Sequence, residues 1–175
     1  MPSNTSPKLA RFFSAAAALC TVGLTALPAS ADSLPTRKSG LWEQKTVMNQ
    51  GDGPRDHTMT LCIDDAMEKS TAEKSVKQHK ESCTKYEIKK SDGKTEVVSD
   101  CVFNDRPVSS NTTMSGDFEK SFKIQIETKT TLTDKGRSRV MTRTIDQKGT
   151  YLGADCGDLK PGEAKGSNGD RIMVQ

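Results

Sequence analysis

The stretch Phe122-Lys123-Ile124-Gln125-Ile126-Glu127-Thr128-Lys129 decides the fold of this chain. Its bulky apolar residues alternate with charged and polar residues, which is the pattern of a β-strand with one buried and one solvated face. We expect this strand to begin at Phe118, directly after a turn at Gly116-Asp117. Antiparallel sheets commonly keep one face in water, so the stretch predicts an antiparallel sheet.

Six more strands are predicted around this one from alternating side chains and turn residues. Two pairs of them form hairpins, one around Gly51-Asp52-Gly53-Pro54 and one around Ser91-Asp92-Gly93. We interpret the second as a three-residue loop with glycine in the left-handed position. The six strands span residues 41–49, 55–62, 83–90, 95–103, 108–115 and 138–152.

One helix is predicted from Asp64 to about Lys80. Acidic residues lie in its first turn and lysines in its later turns, which suits the dipole of a helix. Asp64 and Asp65 are interpreted as an N-cap and a first-turn residue, because the sequence after them lacks the ligand spacing and glycine of a calcium loop. The apolar face of this helix is weak, so we expect it to lie on the surface.

These elements predict a mainly β fold of the α+β class: an antiparallel curved sheet or partly open barrel of about seven strands, with one inserted surface helix and two disulfides. The segment from about residue 158 holds Pro161 and several glycines in polar surroundings. We expect it to form a loosely ordered C-terminal tail as far as about Ile172. Apolar residues make up 33% of the chain, against about 45–50% in typical domains when glycine is counted, so a thin core is expected.

The first 31 residues have the pattern of a signal peptide. Lys8 and Arg11 precede an apolar run over residues 12–27, and Ala29-Ser30-Ala31 has the small residues at which a signal peptidase cuts. The run is shorter than the about 20 residues that span a bilayer, so we expect no membrane span in the mature chain. The predicted organisation is a signal peptide over residues 1–31, cleaved after Ala31, and a single secreted domain over residues 32–175.

The charge of the predicted mature chain is close to neutral. Removal of Lys8 and Arg11 from the 26 basic residues leaves 24, against 23 acidic residues, and the two signs are interspersed along the sequence. Binding of nucleic acid or of an anionic lipid surface is argued from a basic patch, and the sequence shows none. Neither is therefore expected as a partner.

Four cysteines remain after the predicted cleavage, and they predict two disulfides in an oxidising compartment. We favour the pairing of Cys83 with Cys101 and of Cys62 with Cys156. If the second hairpin has a three-residue loop, Cys83 lies opposite Cys101, and Cys62 is left for Cys156. A two-residue loop shifts the register by one residue and turns Cys83 and Cys101 to opposite faces, and the apolar pattern fits both loops. The predicted helix, roughly 25 Å long, keeps Cys62 away from Cys83. A zinc site is not expected, because the C-x-x-C spacing is missing.

The sequence predicts no catalytic, cofactor-binding or metal-ligating set. His57 and His79, the two histidines, fall on a predicted strand and near a predicted helix end, and their spacing brings neither to a carboxylate. We expect both to be solvent-exposed. The hydroxyl-rich stretch 109–113 lacks the G-x-S-x-G setting of a nucleophilic serine and is interpreted as exposed β surface.

A resemblance to one family runs over nearly the whole predicted mature chain. It is carried by Leu34-Pro35, Ser39-Gly40-Leu41-Trp42-Glu43, Cys62-Ile63-Asp64, Gly116-Asp117-Phe118, Leu152-Gly153 with Cys156, and Pro161-Gly162-Glu163. In this order of motifs the chain resembles the exported bacterial proteins grouped as domain of unknown function 3617. It departs from that pattern near Cys156, where Tyr151 stands in place of a common tryptophan and one additional residue precedes the cysteine. The resemblance implies export to a Gram-negative periplasm and implies no known activity.

Three kinds of function are compatible with this sequence. The one we favour is a non-enzymatic periplasmic binding or accessory protein, whose partner is an unknown protein or small molecule. The second is a carrier of a small apolar ligand in a curved sheet, although the few apolar residues argue against a hollow interior. The third is an enzyme or an enzyme inhibitor, for which only Asp64, Asp65 and the histidines are available.

Overall fold

The computed structural model describes residues 33–51 and 53–174, so the predicted signal peptide lies outside the described residues. No helix in this part of the chain is long and apolar enough to span a bilayer. The described residues form one helix and nine strands: β1 (Gly40–Asn49), β2 (Pro54–Ile63), α1 (Asp65–Ser82), β3 (Cys83–Ser91), β4 (Lys94–Phe103), β5 (Arg106–Gly116), β6 (Ser121–Asp134), β7 (Arg137–Gly153), β8 (Glu163–Gly166) and β9 (Arg171–Met173).

The strands form one antiparallel sheet in the order β3-β4-β5-β6-β7-β1-β2-β8-β9. The predicted class is confirmed: the fold is mainly β and antiparallel, with one inserted helix and two disulfides. The expected number of about seven strands is wrong, because the sheet has nine. The sheet also stays open, with β3 and β9 as its edges, instead of closing partly into a barrel.

The two additional strands lie in the segment after residue 158 that we expected to be loosely ordered. Ala164 of β8 pairs with Leu61 of β2 and is 1% exposed, and Leu159 is buried nearby. β8 therefore covers the edge of β2, whose backbone N–H and C=O groups would otherwise lack partners. β8 has four residues, among them alanine, lysine and glycine, which have little intrinsic strand propensity. β9 has only three residues, so neither strand stands out in the sequence.

The β3–β4 hairpin differs from the predicted one in its turn. The turn has two residues, Asp92-Gly93, both with positive φ, the geometry that matches the twist of a hairpin. An unbroken register from this turn would set Cys83 opposite Val102. An irregularity directly after Cys83 shifts the register by one residue, so Cys83 lies opposite Cys101, and a disulfide joins the two.

The second disulfide joins Cys62 near the end of β2 to Cys156 after β7, 94 residues later in the sequence. Cys62 lies shortly before α1, and Cys83 follows the helix directly. The two disulfides therefore hold the chain at both ends of the helix.

The chain turns sharply before β6, so this strand begins at Ser121 rather than at Phe118. Phe118 has a φ of +57°, and its ring folds back to stack on Phe122 at 5.6 Å between centroids. The carboxylate of Asp117 accepts hydrogen bonds from three backbone N–H groups of the turn, and these bonds hold the pKa of the Asp117 carboxyl below its usual value. The three donors are Lys120, Ser121 and Glu119.

The helix α1 begins as predicted and lies on the surface. The side chain of Asp64 caps it by accepting a hydrogen bond from the backbone N–H of Met67 at 2.9 Å. No residue of the helix is buried. Its backbone contacts with the sheet are mainly to β3 and β4 at one edge, so the helix does not pack tightly on the central strands.

The core of the described chain is small and lies at one end of the sheet. Trp42 is 0% exposed, and its indole N–H donates to the carbonyl oxygen of Lys38 at 2.8 Å. Its ring packs against the rings of Phe122 and Tyr151, with centroids 5.5 and 5.4 Å away. The other buried members of this cluster are Leu61, Ile63, Phe118 and Ala164. A core of this size agrees with the low apolar content of the sequence.

Gly149 of β7 lies under the ring of Phe122, and a Cβ atom at this position would lie 2.0 Å from that ring. We expect Gly149→Ala to displace the ring and to lower the free energy of unfolding by about 1–3 kcal/mol, the usual cost of overpacking a core. Urea denaturation measures this loss. Gly153→Ala is the matched control, because no described atom lies within 4 Å of the corresponding Cβ position. Equal losses in the two variants would contradict the steric explanation.

Candidate functional site

Residues 33–39, which precede β1, connect the helix to the sheet through Arg37. The Arg37 guanidinium binds Glu68 of α1 at two points, Nε to Oε1 and Nη2 to Oε2, both at 2.8 Å. It also donates to the side-chain oxygen of Gln44 at 3.4 Å and lies 5.7 Å from the centroid of the Phe122 ring. The side chains of the ion pair are only 18% and 12% exposed. Two-point arginine–carboxylate pairs fix geometry as well as charge, so Arg37 holds α1 at a set position over the sheet.

A partly open cavity of about 510 Å³ lies between α1, residues 33–39 and one face of the sheet. We call it the sheet–helix cavity. Its volume is within the range of about 300–1,000 Å³ that is usual for small-molecule pockets. Strands β2 and β5 both line it although three strands separate them in the sheet, so this face of the sheet is concave. The apolar side chains of its wall include Met48, Met59, Met114, Ile124 and Ile145.

The polar groups of the sheet–helix cavity carry no net charge. Arg37 and Glu68 are the charged side chains among its described lining residues, and they neutralise each other. The sheet adds Gln44, Thr46 and Gln147. Thr46 is only 4% exposed, and its Oγ1 accepts a hydrogen bond from the amide of Gln44 at 3.4 Å. This lining suits a neutral molecule, because an ion would lose its hydration without gaining an opposite charge.

The two histidines lie in different surroundings. His57 on β2 is exposed, as expected, and lies at the edge of the sheet–helix cavity. His79 of α1 is half-buried instead, because its ring stacks on Tyr86 at 5.4 Å between centroids. Its Nδ1 lies 2.7 Å from the carbonyl oxygen of Ser75. Partial burial raises the pKa of the Tyr86 hydroxyl.

The other residues singled out in the sequence belong to the helix and the sheet and are not brought together into a site. Asp64 caps α1, and Asp65 lies in its first turn. The hydroxyl-rich stretch 109–113 lies within β5. Across residues 33–51 and 53–174, no three His, Cys, Asp or Glu side chains are grouped so that they could hold a metal ion.

The sheet–helix cavity could not be predicted from the sequence. Alternation in β1 places Trp42, Gln44, Thr46 and Met48 on one face, but a glutamine and a threonine in such a row are normally interpreted as exposed. Arg37 and Glu68 are 31 residues apart in the sequence, and no motif links them. The low number of apolar residues argues against a cavity enclosed by the sheet alone. In the structure the helix forms one wall, so the sheet does not have to enclose the cavity by itself.

The chain matches a known protein family over most of its length. The family described as Protein of unknown function (DUF3617) matches residues 37–156, a range that includes Arg37, Trp42, the helix and all four disulfide cysteines. No curated protein and no solved structure matches the chain. Because the matched residues make up more than half of the sequence, the chain belongs to the DUF3617 family.

Proposed function

We propose that this protein is an exported, non-enzymatic binding protein that holds a small, neutral, largely apolar molecule in the sheet–helix cavity. The observation that supports this function is the cavity itself, which combines a volume of about 510 Å³ with an apolar wall and uncharged polar groups. Ligand pockets typically have this composition, in which a few polar groups orient a ligand that apolar side chains enclose.

Three methionines contribute to the apolar wall. Met48, Met59 and Met114 line the cavity from three different strands. Their unbranched side chains adapt to irregular shapes, which is why methionine is frequent at binding surfaces that accept several partners. This lining favours a site that accepts a class of apolar molecules over one that is shaped for a single compound.

The hydrogen bonds that Glu68 accepts support a binding role over an enzymatic one. A general base has to reach the proton that it removes. Glu68, the carboxylate of the cavity, accepts two hydrogen bonds from the Arg37 guanidinium and one from the Arg37 backbone N–H. These contacts give it the role of a structural ion-pair partner.

Export is part of the proposal and rests on the disulfides and on the sequence of the first 31 residues. Disulfides persist in oxidising compartments such as the periplasm and are rare in the cytosol. The mature protein is proposed to begin at Asp32 and to form a single domain. Its partner is then a molecule of the periplasm.

The cavity assignment is tested with N-phenyl-1-naphthylamine, a neutral fluorophore whose emission rises in apolar surroundings. We expect saturable binding to the secreted protein. Ser75 faces the cavity from α1, so Ser75→Trp is expected to weaken binding about tenfold, which corresponds to about 1.4 kcal/mol. Ser82→Trp is the matched control, because Ser82 is exposed on the same helix and does not line the cavity.

Two outcomes contradict the proposal. Equal loss or equal retention of binding in the two variants would place the fluorophore outside the cavity. Absence of saturable binding to the unmodified protein would remove the case for an apolar ligand. Native mass spectrometry of protein recovered from the periplasm gives an independent readout, since a bound mass should be present in the unmodified protein and reduced in Ser75→Trp.

A further inference from the structure

The end of the sheet opposite the core includes two neighbouring turns. The β4–β5 turn and the β6–β7 turn lie side by side there, because β5 and β6 are neighbours and antiparallel. An open groove of about 1040 Å³ lies between them. We call this end, residues 102–108 and 130–143, the double-turn tip.

The double-turn tip gathers basic residues that are far apart in the sequence. Arg106, Arg137 and Arg139 are exposed and line the groove. In the described part of the chain, no acidic side chain forms an ion pair with any of these three arginines. The basic residues of the tip outnumber its acidic residues five to two: Arg106, Lys135, Arg137, Arg139 and Arg143 against Asp105 and Asp134. Interspersed charges along the chain are thus compatible with a local basic patch.

Exposed apolar side chains lie on both faces of the sheet at the tip, and the strand register places the three arginines on only one of these faces. Val102 and Val140 are 55% and 63% exposed, and Phe103 and Met141 are 47% and 38% exposed. The strand register places the two valines on one face and Phe103 with Met141 on the other. Together with the exposed arginines, these side chains give the tip both basic and apolar groups, which is the composition of an interaction surface for an amphipathic partner.

We propose that the double-turn tip binds the surface of a bilayer that contains anionic phospholipids. Guanidinium groups pair with phosphate oxygens at two points, and apolar side chains on both faces of a thin sheet end can enter the boundary between headgroups and acyl chains. The surface is separate from the sheet–helix cavity, since the two share no lining residue. The inference therefore goes beyond the proposed function and does not depend on it.

Nucleic acid is the competing anionic partner. It would engage the arginines through its phosphates, but it would give no role to Val102 and Val140, because its remaining contacts are hydrogen bonds and stacking on planar side chains. The valines therefore favour the lipid surface.

The experiment is co-sedimentation of the secreted protein with vesicles. Binding is expected to vesicles of equal parts phosphatidylglycerol and phosphatidylcholine, to be weaker on pure phosphatidylcholine, and to fall as salt screens the charges. The triple variant of Arg106→Ser, Arg137→Ser and Arg139→Ser is expected to bind about a hundredfold more weakly. Its matched control carries Lys120→Ser, Lys148→Ser and Lys160→Ser, which removes the same charge from exposed positions away from the tip.

A second variant separates lipid from nucleic acid. Val102→Ser with Val140→Ser is expected to weaken vesicle binding about tenfold without changing the affinity for short duplex DNA. The proposal is overturned if the unmodified protein does not sediment with anionic vesicles, or if the two triple variants lose binding equally. It is also overturned if vesicle binding survives the valine substitutions, because the arginines alone would then define a general site for anions.

Discussion

The Trp42→Ala variant is expected to lose about 3–5 kcal/mol of its free energy of unfolding, the usual cost of deleting a buried aromatic side chain. A typical domain has only about 5–15 kcal/mol in total. Trp42 is the largest fully buried side chain of the described residues, and it contacts both Phe122 and Tyr151. Because this core is small, neighbouring side chains have little capacity to refill the space. Guanidinium denaturation followed by circular dichroism measures the loss.

The Trp42→Phe variant serves as the control. It keeps an aromatic ring in the core but removes the indole N–H that donates to the Lys38 carbonyl. We expect it to lose less than Trp42→Ala, about 0.5–1.5 kcal/mol, the net contribution of a typical hydrogen bond. A loss below about 1 kcal/mol in Trp42→Ala, far under the usual range for such a deletion, would show that the core described here does not hold the sheet together.

Removal of the Cys62–Cys156 disulfide by Cys62→Ser with Cys156→Ser is expected to lower the free energy of unfolding by about 4–5 kcal/mol. The bond joins residues 94 apart, and in the chain-entropy model longer loops give larger effects, about 4.7 kcal/mol for 100 residues against about 3 kcal/mol for 15 residues. The backbone carbonyl of Cys62 also accepts a hydrogen bond from Gly162, so the same position anchors the segment that leads into β8.

The Cys83–Cys101 bond provides the internal comparison, because its cysteines are only 18 residues apart. The double variant Cys83→Ser with Cys101→Ser is expected to lose about 3 kcal/mol. Denaturation without reductant compares the two variants, and a larger loss at the shorter loop would refute the expected order. Non-reducing peptide mapping checks the connectivity directly, since a peptide linking Cys62 to Cys83 is incompatible with this structure.

The fold class could be predicted because its evidence is local. Strict alternation in β6 and the charge pattern of α1 each lie within one element, and the structure contains both. The missed features depend on contacts between distant segments. β8 is a strand because Ala164 meets the free edge of β2, and the register of Cys83 depends on an irregularity that its own side-chain pattern does not show.

The candidate site could not be predicted from the sequence for the same physical reason, because contacts between distant segments form it. The sheet–helix cavity requires the helix to be held over a concave face by Arg37 and Glu68, and neither residue belongs to a recognisable motif in its local sequence. The double-turn tip requires the pairing of β5 with β6 to bring Arg106 beside Arg137 and Arg139. Net charge and amino-acid composition describe the whole chain and do not show where residues are grouped in space. They therefore indicated only a near-neutral chain with a thin core.

The disulfides near the two ends of α1 limit how far the helix can move away from the sheet. No residue of the helix is buried. Its side chains contact the rest of the protein through the Arg37–Glu68 ion pair and the stacking of His79 on Tyr86, among others. Segments with few buried apolar contacts open at low free energy while the rest of a protein stays folded. If the sheet–helix cavity binds a ligand as proposed, we expect the ligand to exchange by local opening of the helix, while the two disulfides keep the residues that flank the helix attached to the rest of the protein.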